Sequence, residues 1–139
     1  MNPATAPVIH SQLQSFLAFD FGLKRTGVAY ASRLLGQPQA QGTVNASGQA
    51  RWPLLAQHIN RWQPDALVVG VPYHPDGAEH ENTVQARKFS RQLQARFGLP
   101  VFEVDERYST TEAKSRGDAD VDAASACVIL DQFLRTLPP

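Results

Sequence analysis

Three carboxylates in this chain stand where the surrounding pattern asks for apolar side chains. Asp20 sits near the end of FLAFDF (residues 16–21), a run that is otherwise apolar on both faces and reads as a central, doubly covered strand. Glu106 alternates in phase with Phe102 and Val104, whereas Asp105 falls in phase with Glu103, on the other side of the same strand. Asp122 opens the last helix and shares a face with Ala126, Ile129 and Phe133, at i, i+4, i+7 and i+11. A buried, unpaired carboxylate is costly, so each acid needs a partner. Shared divalent cations, Mg²⁺ or Mn²⁺, would satisfy all three, because such ions bind carboxylate oxygens and keep positions open for water and substrate phosphate. Two ions ~3.5–4 Å apart activate a water and stabilise the leaving oxygen of a phosphodiester. Each acid also has a plainer reading. Asp122 complements the helix dipole, Asp20 pairs with Lys24 or Arg25, and Glu106 faces solvent or a salt bridge near Arg107.

The cations nearest these acids extend the pattern. Lys24 and Arg25 follow Asp20 by four and five residues in a loop flanked by Gly22 and Gly27. They suit either a substrate phosphate or the counter-charge of a solvated hairpin. Arg107 adjoins Glu106 and has the fork to bind a phosphate bidentately or to orient its acidic neighbour. Arg87, Lys88, Arg91 and Arg96 form a basic flank on the second helix, a phosphate track or a solvated face. Asp118 and Asp120 read as auxiliary ligands or, more simply, as a loop and helix cap. Tyr73 and His74 lie in a loop beside the same site, and the four histidines show no zinc-like spacing. Ser109, Thr110 and Thr111 read as a helix start, Cys127 as core, and Trp52 and Trp62 as packing.

The elements that must position these residues follow from periodicity and breakers. Strands are expected at 16–21, 28–31, 40–44, 66–70 and 101–104. Helices are expected at 50–62, after a capping box of Asn82 with Gln85, after a second capping box of Ser109 with Glu112, and at 122–137. This order predicts one α/β domain with a mixed sheet, an antiparallel hairpin first and parallel strands after. Residues 1–14 read as a flexible N-terminal extension without the charged start and apolar core of a secretion signal. Thirteen cations balance thirteen anions, so net charge alone does not drive nucleic-acid or membrane binding; with three acids neutralised by metal, the same count leaves 13 cations against 10 anions. One cysteine excludes an internal disulfide framework and points to a reducing, cytoplasmic setting. No apolar run approaches the ~18 residues of a membrane helix.

FDFGLKRTGVA, VVGVPYHPDG, VDERYSTTEA and VDAASACVIL, in this order and spacing, resemble the YqgF/RuvX family over about residues 15–137. Its members are described as Holliday-junction resolvases and as nucleases processing precursor small-subunit ribosomal RNA. The resemblance implies a ribonuclease-H-like domain over 15–139, a mixed five-stranded sheet whose first three strands are antiparallel, with helices on both faces. It implies a metal-dependent endonuclease processing precursor 16S ribosomal RNA, with resolvase-like activity on branched DNA possible, acting as a monomer or weak homodimer. Carried over by motif, Asp20, Glu106 and Asp122 are the catalytic metal ligands, with Asp105 the fallback for Glu106, and Lys24, Arg25 and Arg107 bind substrate. Residues 116–120 are short and acidic where many relatives carry a longer, lysine-bearing segment. Two other classes fit part of the pattern: a non-catalytic nucleic-acid or ribosome-assembly module, and a nucleotide-binding actin-like lobe, of which 139 residues hold only one.

Overall fold

The computed structural model describes residues 12–106 and 120–137. Strands β1 (Ser15–Phe21), β2 (Thr26–Ser32) and β3 (Gln39–Val44) are followed by a 3₁₀ turn at Gly48–Ala50 and helix α1 (Arg51–Trp62). Then come β4 (Ala66–Val71), α2 (Glu81–Phe97), β5 (Val101–Asp105) and α3 (Val121–Thr136). The five strands form one sheet in the order β3-β2-β1-β4-β5. The first three pair antiparallel, and β1–β4 and β4–β5 pair parallel. The expected mixed sheet is therefore present.

Side-chain alternation divides the core into two layers. Leu17 and Phe19 of β1, with Leu67, Val69 and Val71 of β4, meet Trp52, Leu55 and Ile59 of α1 and Phe89 and Leu93 of α2. Phe16 and Ala18, with Ala66 and Val68, meet Ala126, Ile129, Leu130 and Phe133 of α3 on the opposite face. Each strand of the central pair thus buries both faces, which is why both read as near-continuous apolar runs. Trp52 stacks on Phe89 and Trp62 on Tyr30, so both tryptophans serve packing. Cys127 is only half-buried, at the rim of the α3 layer rather than within it.

Two boundaries differ from the sequence expectation by two residues, the others by at most one. β2 begins at Thr26, two residues early, because the amide of Gly22 donates to the Arg25 carbonyl at 2.8 Å and closes a tight turn. Helix α2 is capped by His80 with Thr83, not by Asn82 with Gln85. His80 Nδ1 accepts from the Asn82 amide at 3.1 Å, and Thr83 Oγ1 accepts from the His80 amide at 3.1 Å. A neutral imidazole nitrogen takes the role usually played by a hydroxyl or carboxylate oxygen, and composition rules for caps do not anticipate it. The expected capping box and short helix after Ser109 lie outside the described residues.

Candidate active site

Strand parity places the acids. Asp20 continues the Phe16–Ala18 face of β1, and Glu106 continues the Phe102–Val104 face of β5; both faces lie beneath α3. β1 and β5 both run parallel to β4, so their ends emerge at the same edge of the sheet. That edge is where open α/β sheets place their ligands. Asp122, in the first turn of α3, comes down over it.

Two glycines make the close approach possible. Gly27 pairs with Asp20 across β1–β2, and a Cβ on it would lie 1.9 Å from the Asp122 carbonyl oxygen. The absent side chain lets the start of α3 rest on the sheet beside Asp20. Gly70 on β4 lies between β1 and β5, and a Cβ there would meet Glu106 Oε2 at 2.6 Å and Ile129 Cδ1 at 2.4 Å. The Glu106 carboxylate occupies that gap, and its amide donates to the Val71 carbonyl at 3.1 Å.

Asp20, Glu106 and Asp122 line one cavity of about 440 Å³, together with Lys24, Arg25, Pro72 and Asn82. Asp105 does not line it and is exposed, so the two neighbouring acids face opposite sides, as their strand parity implies. Arg25 Nε lies 3.1 Å from Asp122 Oδ2. Lys24 is exposed at the mouth. Arg107 and Asp118 lie outside the described residues. Asn82, which the residue pattern offers only as a helix cap, and Pro72 belong to the lining. Thr83 Oγ1 donates to the Pro72 carbonyl, tying the loop after β4 to the start of α2 and bringing both residues to the rim.

Asp120 acts as the cap of α3. Its Oδ1 accepts from the Ala123 amide at 3.0 Å and from Thr43 Oγ1 at 2.6 Å. Asp120→Ala is expected to cost about 1 kcal/mol, measured by denaturant unfolding; an unchanged midpoint would contradict the capping role.

Glu106 is 7% exposed, and its Oε2 is buried with no hydrogen-bond partner. Burial, then the charges of Asp20 and Asp105, push its carboxyl up to about 9. An orphaned, buried carboxylate oxygen next to a second carboxylate fits a hard cation, which would replace the proton and neutralise the repulsion. Among the described residues no three such side chains yet surround a common point closely enough to hold an ion; Asp122 is instead engaged by Arg25. The donor chemistry suits such an ion: Asp20 and Glu106 would hold it, with Asp122 available on exchange of its arginine partner.

The raised carboxyl has a consequence for metal-free protein. A carboxyl elevated by folding contributes stability that is fully present below its unfolded value of 4.5 and lost as pH rises towards about 9. In chelator, melting temperature is therefore expected to fall across that window, and Glu106→Gln to flatten the fall. Identical pH profiles for the two proteins would refute the assignment.

The comparisons agree with this architecture. A family model described as "RuvX: Holliday junction resolvase" matches residues 14–136. A Polaromonas protein named "Putative pre-16S rRNA nuclease" is 63% identical over 138 residues, covering 99% of this chain and 100% of its own. An Albidiferax ferrireducens protein of the same name is 62% identical over 136 residues, covering 97% and 87% respectively. Among solved structures, Thermus thermophilus RuvC in complex with a Holliday junction substrate superposes with a TM-score of 0.57 at 16% identity, covering 86% of this chain and 93% of that one. A second T. thermophilus RuvC structure gives 0.53 at 14% identity, covering 87% and 95%. These two likenesses show a shared ribonuclease-H-like fold. With nearly its whole length matched by the family model, this chain belongs to the RuvX family.

Proposed function

We propose that this protein is a metal-dependent endonuclease that hydrolyses phosphodiester bonds, with precursor 16S ribosomal RNA as its substrate and the cytoplasm as its place of action. The observation that carries the reading is the meeting of Asp20, Glu106 and Asp122 with Lys24 and Arg25 around one cavity at the sheet edge. The names of the most similar relatives support the RNA substrate.

Asp20 and Glu106 would hold a Mg²⁺ or Mn²⁺ ion, with Asp122 completing the set. Such an ion supplies a water made nucleophilic at neutral pH and a positive charge for the leaving oxygen. The protein's own groups do the rest. Lys24 and Arg25, exposed at the mouth, draw the phosphodiester in and neutralise its charge. When Arg25 turns to a phosphate it frees Asp122 from the pair it now makes, so substrate entry and completion of the acid set are coupled. Gly27 and Gly70 keep the acids close, and Asn82 at the rim offers an amide to the strand. Arg107 is assigned to substrate on its motif alone.

The family description favours a second substrate, the four-way DNA junction. One active site suffices to trim an RNA, whereas symmetric cutting of a junction needs two copies of the chain. Side-by-side cleavage of precursor 16S RNA and a four-way DNA junction in Mg²⁺ or Mn²⁺ separates these. Faster cleavage of the RNA is expected, and no cleavage of either by the intact protein would end the nuclease reading.

A further inference from the structure

A second cluster lies outside the acid site, on the other side of the β1–β2 loop. Arg51, the first residue of α1, is 3% exposed and stands over the Phe21 ring at 4.5 Å. It donates to the Leu23 carbonyl at 2.8 Å and to Thr26 Oγ1 at 3.2 Å. Among the described residues no carboxylate pairs with it. A buried guanidinium without a counter-ion is unusual, because desolvation is normally offset by an acid. Arg51 also adjoins open space. It contributes to a cavity of about 220 Å³ with Lys88, Gln49, Gln85 and Gln92, and among the described residues no acid lines that cavity. The cavity shares Phe21 and Leu23 with the acid site, and Leu23, 58% exposed, borders both.

From this arrangement we propose that the Arg51–Lys88 cavity is a substrate subsite for a phosphate of the nucleic-acid strand next to the scissile one. It rests on the nuclease reading above and names where the strand goes after passing Leu23. A buried cation between low-dielectric walls projects its field into the cavity, and Lys88 adds an exposed charge at the rim. Arg96 Nη2 donates to Gln49 Oε1 at 2.9 Å, which occupies that amide's acceptor and leaves its N–H donors for an anion. The volume lies below the ~300–1,000 Å³ of sites that enclose a whole small molecule, and suits one group of a longer ligand. The basic flank of α2 is thereby divided. Lys88 faces this subsite, whereas Arg87 and Arg91 line a separate cavity with Glu103, and Arg87 lies 3.7 Å from that acid.

The test measures binding of a fluorescein-labelled single-stranded RNA of precursor 16S sequence across a salt series. The background is Asp20→Asn, to prevent cleavage. Lys88→Ala is expected to weaken binding about fivefold and to reduce the slope of log affinity against log salt by about 1. Arg51→Met is expected to do the same, and Arg61→Ala, on the exposed side of α1, to do neither. In the cleaving protein Lys88→Ala should raise KM for RNA while hydrolysis of bis(p-nitrophenyl) phosphate, too small to reach the subsite, stays unchanged. Lys88 is exposed, so its variant folds whatever becomes of Arg51→Met. Unaltered affinity and slope for Lys88→Ala, in a protein that cleaves RNA, would overturn the subsite alone. A protein that cleaves neither RNA nor the small diester would overturn the subsite and the nuclease reading together.

Discussion

Gly27→Ala is expected to destabilise the protein by about 3–5 kcal/mol and to abolish its site, the largest structural effect of any single methyl group here. The added Cβ would fall 1.9 Å from the Asp122 carbonyl oxygen, 2.2 Å from its carbon and 2.9 Å from the Ala123 nitrogen. All three are backbone atoms in the first turn of α3, so no rotamer change relieves the clash. Relief requires lifting the end of a helix that packs Ala126, Ile129, Leu130 and Phe133 on the sheet. The same movement carries Asp122 away from Asp20. Gly98→Ala is the useful contrast. That glycine has φ +67 and nothing within 4 Å, so alanine costs about 1 kcal/mol in backbone strain alone. Urea unfolding of both variants decides the matter. Equal small losses would mean that α3 does not depend on Gly27 for its seat.

Asp20→Asn is expected to lower the rate of phosphodiester cleavage roughly 10³-fold without lowering the melting temperature of the metal-free protein. The two halves of this expectation come from one cause. Asp20 would contribute negative charge where a cation is to be held, and in the absence of that cation the same charge opposes ionisation of Glu106 and forces it to keep its proton. Asparagine keeps the size and removes the charge, so chemistry is lost while repulsion is relieved. Initial rates in Mn²⁺ together with thermal melts in chelator test both. A rate close to that of the unsubstituted protein would remove Asp20 from the chemistry. A loss of activity accompanied by a lowered melt would make its role structural.

Much of this arrangement is legible in the residues because it rests on local periodicity. The two-residue alternation of β1 and β5 is enough to put Asp20 with Phe16 and Ala18, and Glu106 with Phe102 and Val104. Helical phase likewise puts Asp122 on the face of Ala126, Ile129 and Phe133. The contributions that escape are tertiary. Gly27 and Gly70 look like ordinary strand glycines until α3 and Glu106 are seen pressing on them. His80 as a cap depends on an imidazole nitrogen happening to face the helix start. Arg51 leaves a trace, since it stands at i, i+4 and i+8 with Leu55 and Ile59, on the face that turns out buried. A cation in an apolar helical stripe is a signal that composition alone discards.

The most direct measurement is anomalous diffraction from crystals of this protein soaked in Mn²⁺. The expected result is a peak within ~2.0–2.2 Å of carboxylate oxygens of Asp20 and Glu106, with Asp122 turned from Arg25 to reach it. Full Mn²⁺ loading with no peak at the sheet edge, or a peak held by other side chains while Glu106 stays buried and unpartnered, would contradict the convergence of these three acids on one ion.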